Sequence, residues 1–455
     1  MQAVQRLHDL GLVDGYLPAQ SAVPRAVVRA ALEQALAQAP ERVPQAAEQA
    51  RGYLARFDAE FQPHAVPGAA AVVLQQATGS LGYRAADARY GVAVPQPRPA
   101  FMAPVDPGPP LSLSAGLAAN VTSYLGLAAA PELDVGALRL PRWEAVVALN
   151  PVSLSFGRGT VGYGLQGERG FVVAGGQTFD RLELATTRPL SLPGFLRYLG
   201  PVAFEGFVSR LTEARHAGDP FFWGGNLRLQ PHPRFTLSLQ RAVIVGGGRV
   251  DQGTQLNQVF KMLFGTKNQP ENNVAGLSLR WRLPTETLLP LTTYAEWGMD
   301  DLGGELEAPG LLFGVRTPML PGAPRVSLGA EFAFIGALCC AVERPSWYLH
   351  FNHVGGWVMQ DAPIGHPLGG DGREYRVYAS ADLLEARLRI EGDALLRQRF
   401  SQNLYAPQRD GTSVGVSSRI SWRVTERGEL GLSLSEERGN AWREGTVQGR
   451  AALFF

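Results

Sequence analysis

Residues 153–170, SLSFGRGTVGYGLQGERG, hold the one stretch whose types and spacing suggest cofactor chemistry. Gly157-Arg158-Gly159-Thr160-Val161-Gly162 is a G-x-G-x-x-G after a strand-like VSLSF, and Asp180 follows at the distance of a ribose-binding acid. A dinucleotide site also needs a helix straight after the turn, so that its first amides face a pyrophosphate. Gly164, Gly167 and Gly170 follow instead. Each costs a helix interior about 1 kcal/mol, so no stable helix begins there. The preceding strand alternates Val152, Leu154 and Phe156 with polar residues, whereas a buried parallel strand would be apolar throughout. These glycines serve a bend and a loop, and no cofactor is expected.

The other candidates are sparser. His350 and His353 form an H-x-x-H that on a strand would point to opposite faces. His366 lies in the Gly/Pro-rich loop APIGHPLGGDGREY. No Ser/His/Asp or Cys/His order assembles, and no metal site is expected. Asp300-Asp301 and Glu436-Glu437 flank turns and read as solvated rims, not as acid/base pairs. Cys339-Cys340, the only cysteines, exclude a multi-cysteine zinc site or a disulfide framework and read as small apolar residues closing a strand. Of 42 basic residues only Lys261 and Lys267 are lysine, and a net charge of +1 gives no electrostatic reason for a nucleic-acid partner. A hydrolase survives only because a missing motif excludes little.

The elements that would position any site fall into two parts. Residues 1–66 read as a helical module. QRLHDLGLVDGY is a short helix stopped by Gly11. VPRAVVRAALEQALAQAP carries an apolar face of Val27, Val28, Ala31, Leu32, Ala35 and Leu36 and is expected to end at Pro40. A third helix starts at Pro44. From about residue 70 the period becomes two, giving a second part over 67–455. FTLSLQRAVIV sets Phe235, Leu237 and Leu239 against Thr236, Ser238 and Gln240. GLSLRWRLP sets Leu277, Leu279, Trp281 and Leu283 against Ser278, Arg280 and Arg282. EARLRIEGDALL and SVGVSSRISWRV repeat the device, and about eighteen such segments reach the C-terminus.

A soluble sandwich and a transmembrane barrel share that alternation. The strands run near the ~9–11 residues that a tilted strand needs to cross a bilayer. Closure would remove the exposed edges that so many strands create. Trp143, Tyr294, Trp297, Trp347, Tyr348, Trp422 and Trp442 sit near strand ends, as an interfacial girdle requires. The polar faces carry both charge signs, which suits a wet, ion-paired lumen. Gly 53 in 455 residues, well above a usual ~7%, fits many turns and close backbone contacts. No run of eighteen apolar residues suggests a membrane helix, and no basic start with an apolar core marks a signal peptide, so a leader is expected to have been removed or to lie upstream. The terminal TVQGRAALFF alternates and stops on Phe455, resembling the signal by which the barrel-assembly machinery recognises outer-membrane barrels.

Ser155-Phe156-Gly157-Arg158 with Gly162-Tyr163-Gly164 matches S-F-G-R-x-x-x-G-[WY]-G of the capsule-assembly Wzi family. PRFTLSLQRAVIVGGGR, NNVAGLSLRWRLP, LTTYAEWGMDD and PIGHPLGGDGREY are further likenesses in family order. The helical N-terminus is similar to the family's module and to S-layer-homology segments. The resemblance implies an eighteen-stranded outer-membrane barrel, plugged at its periplasmic side by helices, with a non-enzymatic, lectin-like role in holding capsular or exported polysaccharide. The chain departs from the family after Gly164, where LQGERG replaces a more apolar continuation. Arginines pair bidentately with uronate carboxylates and aromatic rings offer apolar faces to sugars. Arg158, Tyr163, Arg169, His366, Asp371 and Arg373, in loops 157–170 and 361–375, are therefore the expected saccharide contacts. Arg158 reads equally as a lumenal arginine paired to a facing carboxylate. A passive or substrate-specific porin-like channel is the alternative function.

Overall fold

The computed structural model describes residues 2–14, 16–17, 23–61, 72–86, 111–122, 124–134, 137–164, 169–174, 176–211, 219–247, 271–286, 288–300, 309–336, 347–349, 356–359, 362–406 and 409–455. Cys339-Cys340, His350, His353, Asp301, Lys261, Lys267 and the 66/67 boundary lie outside them.

Eighteen antiparallel strands close into a barrel. They are β1 (Val72–Ala86), β2 (Leu111–Asn120), β3 (Leu125–Asp134), β4 (Ala137–Ala148), β5 (Val152–Thr160) and β6 (Thr178–Thr186). Next come β7 (Pro201–Arg210), β8 (Phe221–His232), β9 (Phe235–Val245), β10 (Asn272–Arg282), β11 (Thr292–Asp300) and β12 (Gly310–Thr317). β13 (Val326–Ile335), β14 (Gly370–Leu383), β15 (Leu388–Asn403), β16 (Gly411–Arg423), β17 (Gly428–Gly439) and β18 (Arg443–Phe454) complete the wall. β1 pairs with β2 on one side and with β18 on the other, from Gln76↔Phe454 to Ala86↔Glu444, so no edge is left open.

The polarity is that of a protein in lipid. Leu154, Phe156, Leu182, Leu239, Phe313, Val377, Val414 and Leu453 are exposed on the outer wall, while Arg228, Arg397, Glu374 and Glu437 are buried inside. Among the described residues no helix is long and apolar enough to cross a membrane, and the strands make the crossing. The aromatic girdle needs correction. Trp143, Trp297 and Trp422 share parity with outward residues. Tyr294, Trp347, Tyr348 and Trp442 are instead buried. Tyr294 shares the parity of Glu296, and Trp347 and Tyr348 belong to a loop folded inward. Outward Tyr83, Trp281, Tyr375 and Phe156 take their place.

The helical module docks at the short-turn end of the barrel. It comprises α1 (Gln2–Asp9), α2 (Arg25–Arg42) and α3 (Ala47–Glu60), the last preceded by a 3-10 turn over Pro44–Ala46. Pro40 lies inside α2 and does not end it. A proline removes one N–H but keeps a helical φ, and the helix closes two residues later with Val43 N–H donating to Ala39 O at 2.9 Å. The buried face of Val28, Ala31, Leu32 and Ala35 packs with Leu7, Leu12 and Tyr53. Arg6 joins module to barrel: its guanidinium donates to Pro318 O (2.8 Å), Pro324 O (3.0 Å) and Asp382 Oδ2 (2.5 Å). Asp9 accepts from Arg280, and Arg56 from α3 reaches Glu429 Oε2 at 2.6 Å. Gly52 sits against the β14–β15 turn, where a Cβ would lie 2.3 Å from Glu385 O.

Candidate functional site in the barrel lumen

At the long-loop end, residues 161–164, 169–174, 347–349, 356–359, 362–369 and 404–406 fold into the lumen and build a second core. Phe171, Val172, Trp347, Tyr348, Trp357, Ile364, Leu368 and Leu404 pack there against the strand residues Phe179, Phe207 and Phe222. Backbone groups that leave the strands find partners inside, as buried amides must. Tyr163 N–H donates to Val173 O (2.8 Å) and Ala174 N–H to Ile364 O (2.7 Å). Trp357 Nε1–H donates to Val172 O (2.8 Å), and Tyr348 Oη–H to Phe171 O (2.7 Å). The cap is tied to the wall by Phe171 N–H on Glu296 Oε1 (2.7 Å) and by Tyr348 N–H on Asp300 Oδ2 (2.7 Å). A Cβ at Gly365 would lie 2.3 Å from Phe171 O, so glycine is required at that crossing.

Beside the cap a chain of buried ion pairs crosses β11–β17. Arg169 of the cap is ion-paired to Glu331, with Nε 2.8 Å from Oε1, and donates from Nη2 to Glu374. Glu374 also accepts from Arg397, which reaches Glu437 Oε2 at 2.9 Å. Glu437 accepts in addition from Arg399 (3.0 Å) and Ser413 (2.6 Å). Glu331 accepts from Tyr294 Oη at 3.0 Å. Glu437, expected on a solvated rim, is thus buried within the network, whereas Glu436 pairs with Arg443 outside. The ion-paired lumen holds as expected; on this side it is dry.

The six expected saccharide contacts separate. Arg158 pairs with the facing carboxylate of Asp180, Nε to Oδ1 at 2.8 Å. That pair is on the outer wall, not in the lumen, because Arg158 has the parity of the exposed Leu154 and Phe156. Arg373 is also outside, donating to Gln398 Oε1 at 2.8 Å. Tyr163, Arg169, His366 and Asp371 are buried at the cap. In this conformation they hold the cap and do not reach a polymer in solvent. His366 N–H donates to Tyr348 Oη (2.9 Å), and its Nδ1 accepts from Leu368 N–H (3.2 Å). Burial first, and then Arg169, Arg397 and Arg376, hold the His366 imidazole well below its ordinary pKa, so it is neutral. Its proton is then on Nε2, a buried atom with no hydrogen-bond partner among the described residues.

Glu331, His366 and Glu374 bring donor atoms within 4.8 Å of one another, a set that could hold a divalent ion. The Arg169 guanidinium already stands between the two carboxylates and balances them, so the cluster does not fit a metal. The opening glycines have a sharper role. Gly157 has φ +149°, and a Cβ there would lie 2.1 Å from Trp143 O. At Gly159 it would lie 2.0 Å from Arg181 Nη1, whose guanidinium pairs with Glu144 and Glu183.

The filling is one-sided. Inward side chains of β7–β11 are almost all buried, but those of β1–β4 and β16–β18 are largely solvent-accessible, with Arg142, Arg419 and Arg450 exposed. Thus, among the described residues, one half of the wall backs onto packed side chains and the other is left accessible.

The profile of the family described as "Capsule assembly protein Wzi" matches residues 134–448. No curated protein matches the sequence significantly. Among solved structures, the chain is similar to Escherichia coli Wzi, described as an outer membrane protein involved in group 1 capsule assembly and a carbohydrate-binding β-barrel. The identity is 16%, the coverage 100% of this chain and 97% of that one, and the TM-score 0.76. Pseudomonas aeruginosa OccK5 and OccK3, each at 11% identity over 84% of this chain and 98% and 95% of theirs, give TM-scores of 0.48 and 0.49.

Proposed function

Because this chain belongs to the Wzi family of capsule assembly proteins, we propose that it is an outer-membrane protein that holds exported polysaccharide at the cell surface without altering it chemically. The lumen, packed along β7–β11 and closed at its short-turn end by the helical module, carries this reading. A cap with its own apolar core, a docked helical module and the buried ion pairs leave β7–β11 no aqueous path. A porin-like channel would need that space free. The long-loop end then faces the cell exterior and the helical module the periplasm. Phe455, which closes the last strand with its N–H donating to Gln75 O (3.1 Å), is the mark read by the barrel-assembly machinery.

Deleting the gene in its host is expected to release surface polysaccharide into the medium, with retention restored by the wild-type copy. Unchanged retention would refute the reading. In planar bilayers the purified protein is expected to be silent; a steady open current would favour the channel.

A further inference from the structure

We propose that the wet half of the lumen, along β1–β4 and β16–β18, is a vestibule that binds a segment of acidic saccharide through Arg142, Arg419 and Arg450. The proposal rests on the polysaccharide-holding reading and assigns its site and ligand class. On the dry side five inward arginines are tied to carboxylates: Arg181 to Glu183, Arg228 to Glu205, Arg280 to Asp9, Arg397 and Arg399 to Glu437. Among the described residues Arg142, Arg419 and Arg450 have no ion-pair or hydrogen-bond partner, although each points inward by strand parity. Other lumenal charges of this sector are engaged: Asp134 by Arg139, Glu144 by Arg181, Glu429 by Arg56, Glu444 by Arg409. Glu132 is the exception, so the described side chains of the sector carry three free cations against one free anion.

Their setting suits a sugar chain. Arg450 lies beside Gly431, which lies beside Ser421; Arg419 is two residues further and lies beside Ser433. Strand spacings of ~4.8 Å and rises of ~3.4 Å separate the two arginines by about 12 Å, with the Ser421 and Ser433 positions between them. On its other side Arg450 neighbours Ser80, whose hydroxyl shares a hydrogen bond with Ser112 Oγ at 2.7 Å. Guanidinium forks suit carboxylates, and hydroxyls suit the sugar hydroxyls between them. At the short-turn end this sector meets the helical module, where inward Phe454 and Ala452 are buried and Arg423 reaches Glu60 at 3.4 Å. A chain would therefore enter from the long-loop end.

Titration calorimetry of the full-length protein in detergent, with oligogalacturonate and a neutral malto-oligosaccharide of equal length, tests this. Intact protein is expected to prefer the uronate, and added salt to weaken it. The Arg142→Gln/Arg419→Gln/Arg450→Gln variant should bind it ~30-fold more weakly, at about threefold for each solvent-exposed pair. Ser433→Trp, which narrows the vestibule without changing charge, should also weaken binding and serves if the triple variant does not fold. Intact protein that binds the uronate, with both variants unaffected, overturns the vestibule and leaves the polysaccharide-holding reading standing. Binding of the neutral oligomer alone does the same. Binding of neither overturns both.

Discussion

Replacing Arg169 by Met is expected to unseat the cap while leaving the barrel wall intact. The guanidinium is buried and stands between Glu331 and Glu374. Its loss leaves Glu331 with Tyr294 Oη and the facing Arg376, and Glu374 with Arg397. Removing one member of a buried ion-pair network costs about 3–5 kcal/mol, chiefly because the opposite charge stays buried. Since Arg169 is the cap's own contribution, that cost falls on the closed cap. Its open population should rise between ~100-fold and a few thousand-fold. Hydrogen exchange of the Tyr163 and Ala174 amides, both bonded within the cap, reads that population directly. Arg169→Met/Glu331→Gln removes one charge of each sign and should restore most of the protection. Wild-type exchange rates in the single variant, or no recovery in the double, would refute this account of how the cap is held.

Other perturbations separate the parts. Gly159→Ala places a Cβ on the Arg181 guanidinium and should cost about 3 kcal/mol by breaking its pairs with Glu144 and Glu183, read as a lower unfolding temperature in detergent. Gly52→Ala should push α3 off the β14–β15 turn and make the module, not the barrel, sensitive to protease. Because the His366 pKa is lowered in the fold, the unfolded chain takes a proton first as pH falls. Stability is then full above about pH 6.5 and declines below it by up to about 1.4 kcal/mol per pH unit. His366→Asn, which keeps an acceptor for Leu368 N–H, should flatten cap exchange between pH 7.5 and 5.

The barrel was legible in the sequence because lipid forces one face of every strand to be apolar, and strict alternation shows it. The errors came where residue type was weighed above parity. Arg158 has the parity of Leu154 and Phe156, which places it outside, and Tyr294 that of Glu296, which places it inside. Glu437 alternates inward from Glu436, a signal present in EERG that its nearness to a turn concealed. The cap was not legible. Arg169 meets Glu331 and Glu374 across more than 150 residues of chain, and no local pattern says that a glycine-rich loop will fold into a lumen instead of out over it. The three free arginines were visible only as alternation partners; that they lack carboxylates is a property of the closed wall.

The one-sided filling also bears on the order of assembly. The seam at which β1 meets β18 runs through the half of the wall whose described inward side chains are largely accessible. Cap and ion-pair chain rest on β5–β17, so they can be completed on a sheet that is still open. Closing the ring then disturbs little of the packed interior, and it is a step the chain can take last, or reverse first, without dismantling what has already set.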